Sequence, residues 1–179
     1  METVLPFIYL FTLLFFLSAI AFFLIQEIKK KREIENNLYE LQKKIRENRA
    51  TYEDHYLLGT LYLSKNLSDQ AIIQFRCALN IWDSNDIKGL ANLYNTIGYT
   101  YFESDQYDLS IYYYKEAIKN MKDYTTAWNN LGYAYEKKKM NSEAMIAYLN
   151  VIQYDENNQI ANDRIESLKR KLKIRDDRI

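Results

Sequence analysis

Three glycines at regular spacing are the feature that most limits what this chain can fold into. Gly59, Gly98 and Gly132 lie 39 and 34 residues apart; each follows Leu or Ile and precedes a tyrosine by three positions. A motif that recurs about every 34 residues indicates stacked helix pairs, because one pair alone cannot bury its apolar face. Glycine inside a helix costs about 1 kcal/mol relative to alanine, so these glycines predict close helix crossings.

The second half of each repeat carries small and aromatic residues in the same register. These sets are Ala71, Phe75 and Ala78, then Ser110, Tyr114 and Ala117, then Ala144, Tyr148 and Val151. A packing position three residues before the Leu or Ile holds His55, Tyr94 and Trp128. Together these positions resemble the tetratricopeptide signature, W-x2-L-G-x2-Y followed by A-x3-F. We therefore predict three such repeats, at residues 52–85, 91–124 and 125–158.

The chain departs from this signature between its repeats. Five extra residues, 86–90, predict either a longer loop or an extended first helix of the second repeat. The proline that often ends a repeat is absent, which predicts helically extended repeat ends; its positions hold Asp83, Lys122 and Glu156. Residues of N-cap type precede the second helices, and we predict that they cap them: Asp69, Asp108 and Ser142.

The N-terminus predicts a membrane anchor. The 22 residues from Val4 to Ile25 carry no charge, and as a helix they extend about 33 Å, enough to cross a bilayer. Glu2 and the apolar residues that continue after Ala21 disfavour a cleaved signal peptide. The basic run at residues 29–32 follows the span, so the positive-inside bias leaves the repeats on the cytoplasmic side or its organellar equivalent.

Two charged helices are predicted to flank the repeats. Residues 26–50 form a helical linker with an apolar stripe: Ile34, Leu38, Leu41 and Ile45. The stripe could pack on the first repeat or self-associate as a short coiled coil, and fewer than two heptads of pattern favour packing on the repeat. Residues 159–179 form a capping helix with one apolar side: Ile160, Ile165, Leu168 and Leu172. The predicted fold is all-α: a transmembrane helix at residues 1–25, the linker, an α-solenoid of three repeats at residues 52–158, and the cap.

The residue inventory argues against catalysis and against metal or nucleic-acid binding. The 24 basic and 24 acidic residues form no uniform basic patch, and one cysteine with one histidine provides neither a disulfide nor a zinc site. His55 occupies a packing position and Cys77 a polar outer one. We find no nucleophile with a base, no paired carboxylates and no phosphate-binding loop. We therefore predict a protein that is not an enzyme and takes no cofactor, metal or small-molecule substrate.

The first helix of each repeat predicts a surface for protein binding, because these helices line the inner side of a curled solenoid. The candidate residues are Tyr56, Thr60, Asn95, Tyr99, Phe102, Asn129 and Tyr133. Asparagine amides can hold an extended backbone, and tyrosine offers apolar area with a polar tip. Packing between repeats explains the same residues equally well. Repeat proteins that grip acidic C-termini carry Lys or Arg where this chain has Tyr56, Thr126 and Asn130, so we expect a polar or apolar ligand segment.

The whole arrangement resembles a known family. The anchor, the basic flank and the runs at residues 93–98 and 112–117 are similar to membrane-anchored tetratricopeptide proteins of cyanobacteria and plastids that assist photosystem I assembly. The resemblance implies a single-pass protein of the plastid thylakoid, with stromal repeats that engage photosystem I subunits or assembly intermediates. The alternative is another anchored adaptor, such as an organellar import receptor, or a bacterial envelope assembly factor of the inner membrane with cytoplasmic repeats.

Removal of residues 1–25 is expected to release a soluble, helical domain that unfolds cooperatively, because all three repeats lie beyond the apolar segment. Circular dichroism during heating of the truncated chain measures this. A product that stays helical but melts without a cooperative transition would contradict an independent repeat domain.

Overall fold

The structure, a computed structural model, describes residues 5–176, with side chains described for residues 7–171. Over this range the chain forms eight α-helices: α1 Leu5–Arg46, α2 Tyr52–Ser64, α3 Ser68–Ile81, α4 Ile87–Glu103, α5 Tyr107–Asn120, α6 Thr125–Lys137, α7 Asn141–Tyr154 and α8 Gln159–Asp176. The predicted all-α class, with a long apolar helix ahead of repeated helix pairs, is confirmed. Val4, at the start of the predicted span, and the end of the cap beyond residue 176 lie outside the described residues.

The chain falls into two units, residues 1–49 and residues 50–179. The first is α1, which continues without a break for 42 residues, or about 63 Å at the usual helical rise. Its most apolar stretch has a mean hydropathy of 2.6, so length and composition allow α1 to cross a membrane. The span and the charged linker, predicted as separate segments, are one helix.

In the second unit, each motif glycine lies where the two helices of a pair approach most closely. A Cβ added at Gly59 would lie 2.5 Å from Cε1 of Phe75, and one at Gly98 would lie 2.7 Å from Cδ1 of Tyr114. Gly132 stands in the same relation to Tyr148, at 2.7 Å from Cε1. None of the glycines has a positive φ. Their role is therefore close approach, and the three aromatic rings fill the space that the missing side chains leave.

The turn inside each pair is closed by backbone hydrogen bonds, and the predicted N-caps were wrong. Asp69, Asp108 and Ser142 lie one residue inside α3, α5 and α7, which begin without a side-chain cap. Two residues after the end of each preceding helix there is instead a residue with positive φ: Asn66, Asp105 and Lys139. The next amide bonds back at 2.9 Å to the carbonyl of the motif tyrosine: Leu67 to Tyr62, Gln106 to Tyr101, and Met140 to Tyr135. This is the Schellman arrangement.

The repeats are joined by short irregular segments, so the predicted helical extension of the repeat ends was also wrong. α3 ends at Ile81, α5 at Asn120 and α7 at Tyr154. The residues that follow α3 and α5, Trp82 and Met121, take extended backbone conformations that stop the helix without a proline. Between repeats one and two the extended-helix alternative holds, because α4 begins at Ile87, where the Asp86 side chain accepts a hydrogen bond from the amide of Gly89.

The last helix, α8, packs on the third repeat as the first helix of a further repeat would. It carries charged residues at positions where the first helices of the repeats have packing residues. Its buried residues are Ala161, Ile165 and Leu168, which join the core formed by α5, α6 and α7. Ile160, predicted on this side, is 63% exposed because Ala161 occupies the inward position. Glu166 and Lys169 stand 34 residues after Gly132 and Tyr135. Because these positions are charged, α8 presents no apolar surface to another helix. A polar outer face of this kind is typical of a capping helix.

The Gly98→Ala variant is expected to lose about 1–3 kcal/mol of unfolding free energy, because the added methyl overlaps the ring of Tyr114, which is too buried to move aside. Urea unfolding of the full chain in detergent, followed by circular dichroism, measures the loss. Gln153→Ala, at an exposed position of α7, is the control and should change stability by less than about 0.5 kcal/mol. Equal effects of the two substitutions would contradict the close crossing.

Candidate functional site

All seven candidate residues lie on the first helices of the pairs: α2, α4 and α6. The structure brings the faces of α4 and α6 together. The side-chain nitrogen Nδ2 of Asn130 donates to Oδ1 of Asn95 at 3.0 Å, and the rings of Phe102 and Tyr133 lie 5.6 Å apart. Helix α4 and helix α6 therefore present one continuous surface, which we call the inner surface and define by Asn95, Tyr99, Phe102, Glu103, Asn130 and Tyr133.

The two candidate residues of the first repeat, Tyr56 and Thr60, contact other residues of that same repeat. The ring of Tyr56 packs against Phe75 and Trp82, at centroid distances of 5.8 and 6.1 Å. Thr60 donates its hydroxyl hydrogen bond to the carbonyl of Leu57, within its own helix, at 2.8 Å. Burial raises the pKa of Tyr124, and the neighbouring phenol of Tyr56 raises it further. Tyr56 thus contributes mainly to packing, and it also lies near Tyr124, the residue that directly precedes α6.

The two asparagines of the candidate set already have partners within the chain. Asn95 accepts its hydrogen bond from Asn130, and Asn129 donates from Nδ2 to Oδ1 of Asn158 at 3.5 Å. Oδ1 of Asn129 is buried and has no hydrogen-bond partner in the structure. The first contact joins the second repeat to the third, and the second joins α6 to the residue directly before α8, as the packing explanation for these amides expects.

The two tyrosines that repeat at 34 residues remain available at the surface. Tyr99 is 44% exposed and Tyr133 is 39% exposed. Burial raises the pKa of Tyr99, and the carboxylate of Glu103 raises it further through its charge and by accepting a hydrogen bond. The guanidinium of Arg164 from α8 lies over the ring of Tyr133, 4.8 Å from its centroid. The inner surface therefore offers aromatic area beside a carboxylate.

A cavity of about 180 Å³ opens at the centre of the inner surface. It is lined by Tyr99, Phe102, Glu103, Tyr114, Asn130 and Tyr133. Sequence reasoning missed Glu103 and Tyr114 as parts of this site. Glu103 could have been found from its spacing, because it lies one helical turn after Tyr99 on the same face. For Tyr114 the repeat pattern indicated only a packing position in the core.

A second cavity, of about 230 Å³, lies among α5, α6 and α7. Its walls are mostly apolar, and its two charged residues, Lys115 and Glu143, have opposite signs. Lys115 lies over the ring of Tyr135, 5.7 Å from its centroid. This cavity does not select a ligand by charge.

The two residues with the most reactive side chains hold structural positions. Nδ1 of His55 hydrogen-bonds with Oε1 of Gln74 at 2.9 Å, which ties α2 to α3. Cys77 is partly buried, although the repeat alignment had suggested an outer position. Within the described residues, no group of three His, Cys, Asp or Glu side chains is arranged to hold a metal ion.

Comparison with family models identifies tetratricopeptide repeats over residues 98–158. A TPR repeat model matches residues 98–139, and a tetratricopeptide repeat model matches residues 125–158. The solved structures agree with the fold. MamA superposes with a TM-score of 0.72 at 21% identity, over 83% of this chain and 84% of that one. The first TPR of Spaghetti (RPAP3), bound to an HSP90 peptide, superposes at 0.61 with 19% identity, over 68% of this chain and 93% of that one.

Several curated proteins match along almost the whole chain. The protein ycf37 of Guillardia theta is 44% identical over the full length of both chains. The tetratricopeptide repeat domain-containing protein PYG7 of Arabidopsis thaliana, described as chloroplastic, is 35% identical over 93% of this chain and 55% of its own length. The ycf37 protein of Cyanophora paradoxa is 35% identical over 89% of this chain and 94% of its own. This chain therefore spans about half the length of the Arabidopsis protein and the full length of the Guillardia one.

Proposed function

This chain belongs to the tetratricopeptide repeat family of ycf37 and PYG7, and from that premise we propose that it is a membrane-anchored protein-binding factor that assists the assembly or stability of photosystem I. A chloroplastic relative and the architecture of anchor, basic flank and repeats support this proposal. In it, the repeats hold a subunit or an assembly intermediate by its surface, and the chain carries out no chemistry on its partner.

One observation carries the protein-binding part: the exposed tyrosines on a rigid inner surface. Tyr99 and Tyr133 are fixed relative to each other by the Asn95–Asn130 hydrogen bond and the contact between Phe102 and Tyr133. A tyrosine has few side-chain rotations to lose on binding and combines apolar area with a hydroxyl, which makes it frequent among residues that dominate interface energies. A rigid pair of such residues favours a protein partner over a small substrate.

In this proposal, the anchor holds the repeats at the membrane. α1 is long and apolar enough to cross a bilayer, and the basic run at residues 29–32 directly follows its apolar half. The positive-inside bias then leaves the repeats on the stromal side of a plastid thylakoid. Confinement to the membrane raises the effective concentration of the repeats toward partners held in the same membrane, so modest affinity suffices.

The double variant Tyr99→Ser/Tyr133→Ser is expected to capture at least about tenfold less photosystem I material, because interface tyrosines that dominate binding cost 2 kcal/mol or more when truncated. The tagged full chain is purified from gently solubilised thylakoids, and co-purifying photosystem I subunits are quantified by mass spectrometry.

A matched control uses two other exposed tyrosines. Tyr112, 55% exposed on α5, and Tyr154, 44% exposed at the end of α7, lie outside the inner surface. The variant Tyr112→Ser/Tyr154→Ser should capture as much as the unaltered chain. If the control pair loses capture and the inner pair retains it, the binding surface is on the second helices. If even the unaltered chain retains no photosystem I subunit, the photosystem part of the proposal is wrong.

A further inference from the structure

The third repeat contains a cation site filled by the chain itself. The guanidinium of Arg164 lies 4.8 Å from the ring centroid of Tyr133, and its Nε lies 3.9 Å from Oε1 of Glu136. The same carboxylate accepts a hydrogen bond from the hydroxyl of Tyr148 at 2.8 Å and lies 3.7 Å from the ammonium of Lys171. An aromatic ring beside a carboxylate thus binds an arginine of the capping helix.

The second repeat has a matching site without the cation. Tyr99 is 34 residues before Tyr133, and Asn130 is 34 residues before Arg164. Asn130 is short and neutral and bonds to Asn95, and together with Tyr99 it lines the cavity of about 180 Å³, whereas in the third repeat Arg164 lies over Tyr133. The acid here is Glu103, one residue beyond the counterpart of Glu136, and its carboxylate lies beside the hydroxyl of Tyr99.

The acid of this cavity, Glu103, accepts a hydrogen bond from Tyr99, and neighbouring cations pair with other acids. Lys119 pairs with Glu116, Lys138 with Asp108, and Arg164 and Lys171 with Glu136, so these cations are engaged with acids other than Glu103. Two cations lie against rings that line the cavity: the exposed Lys137, whose Nζ is 5.9 Å from the ring centroid of Phe102, and Arg164, which pairs with Glu136. Residues 51–158 as a whole carry 14 acidic and 9 basic side chains, so the surroundings also favour a cationic ligand over an anionic one.

We propose that the cavity of the inner surface binds an arginine side chain of the partner protein, with the guanidinium stacked on Tyr99 and paired with Glu103. The inference rests on the proposed function, because it assigns a chemistry to the surface proposed there. The cavity has about six times the ~30 Å³ that one water molecule occupies, which is room for a guanidinium and part of its methylene stem. Arginine fits better than lysine because its planar group stacks on a ring while bonding to a carboxylate.

The first test needs no partner. Asn130→Arg places an arginine in the second repeat at the position that Arg164 holds in the third, so its guanidinium should reach Tyr99 and Glu103. In a double-mutant cycle with Glu103→Gln, unfolding of the full chain in detergent should show a favourable coupling of about two- to fivefold in the unfolding constant, the range of exposed ion pairs. Additive effects of the two substitutions would overturn the proposed geometry.

The second test measures binding directly. The probes are two peptides, acetyl-Gly-Gly-Arg-Gly-Gly-amide and the same peptide with citrulline, which keeps the shape of arginine and removes its charge. NMR titration of the full chain should show the arginine peptide binding at least about threefold more tightly, with shifts centred on Tyr99. Glu103→Gln should abolish that preference, and Asn130→Arg should block the site.

A control and a separate readout make the outcome decisive. Glu156→Gln, at an exposed acid outside the inner surface, removes the same charge and should leave the preference intact. Equal binding of both peptides, or loss of the preference in Glu156→Gln as well, would overturn the arginine site. Capture of photosystem I subunits is scored separately. If the unaltered chain captures them but shows no arginine preference, only this inference fails, and the proposed function stands.

Discussion

The close crossing of the two helices in each pair is the contact on which the rest of the molecule depends. At Gly98, the missing side chain lets the ring of Tyr114 lie against the backbone of α4. Successive residues of a helix point about 100° apart, so fixing Gly98 against the core directs Tyr99 toward the inner surface. The same relation holds for Gly132 and Tyr133. The orientation of the exposed tyrosines is therefore determined by a packing constraint one residue away.

Much of the fold could be predicted from the sequence because the repeat pattern records side-chain packing. Gly59, Phe75 and their counterparts mark which residues must touch, and the structure confirms those contacts. The turns were less predictable, because they are closed by backbone geometry. Asn66, Asp105 and Lys139 share a positive φ without sharing a residue type, and none is the glycine that usually marks such a helix end.

The candidate site shows where sequence reasoning reaches its limit. Exposed tyrosines at a 34-residue spacing could be predicted because the spacing alone places them on equivalent faces. The partners of the amides could not, because the Asn95–Asn130 bond depends on how far one repeat rotates against the next, which no single repeat encodes. Glu103 has no acidic counterpart in the third repeat, where Lys137 holds the equivalent position. A search for residues that recur at 34 positions therefore does not find it.

The capping helix makes the repeats chemically unequal. α8 follows the third repeat as α6 follows the second, but it supplies Arg164 where α6 supplies Asn130. The ring of Tyr133 consequently carries a cation of the same chain, while Tyr99, which has no such cation among the described residues, borders the cavity on the other side. In a solenoid whose end is closed in this way, the open aromatic surface lies at the middle and not at the terminus. The charged residues that end the stack, which favour solubility, thereby also confine the proposed binding surface to α4 and the adjoining side of α6.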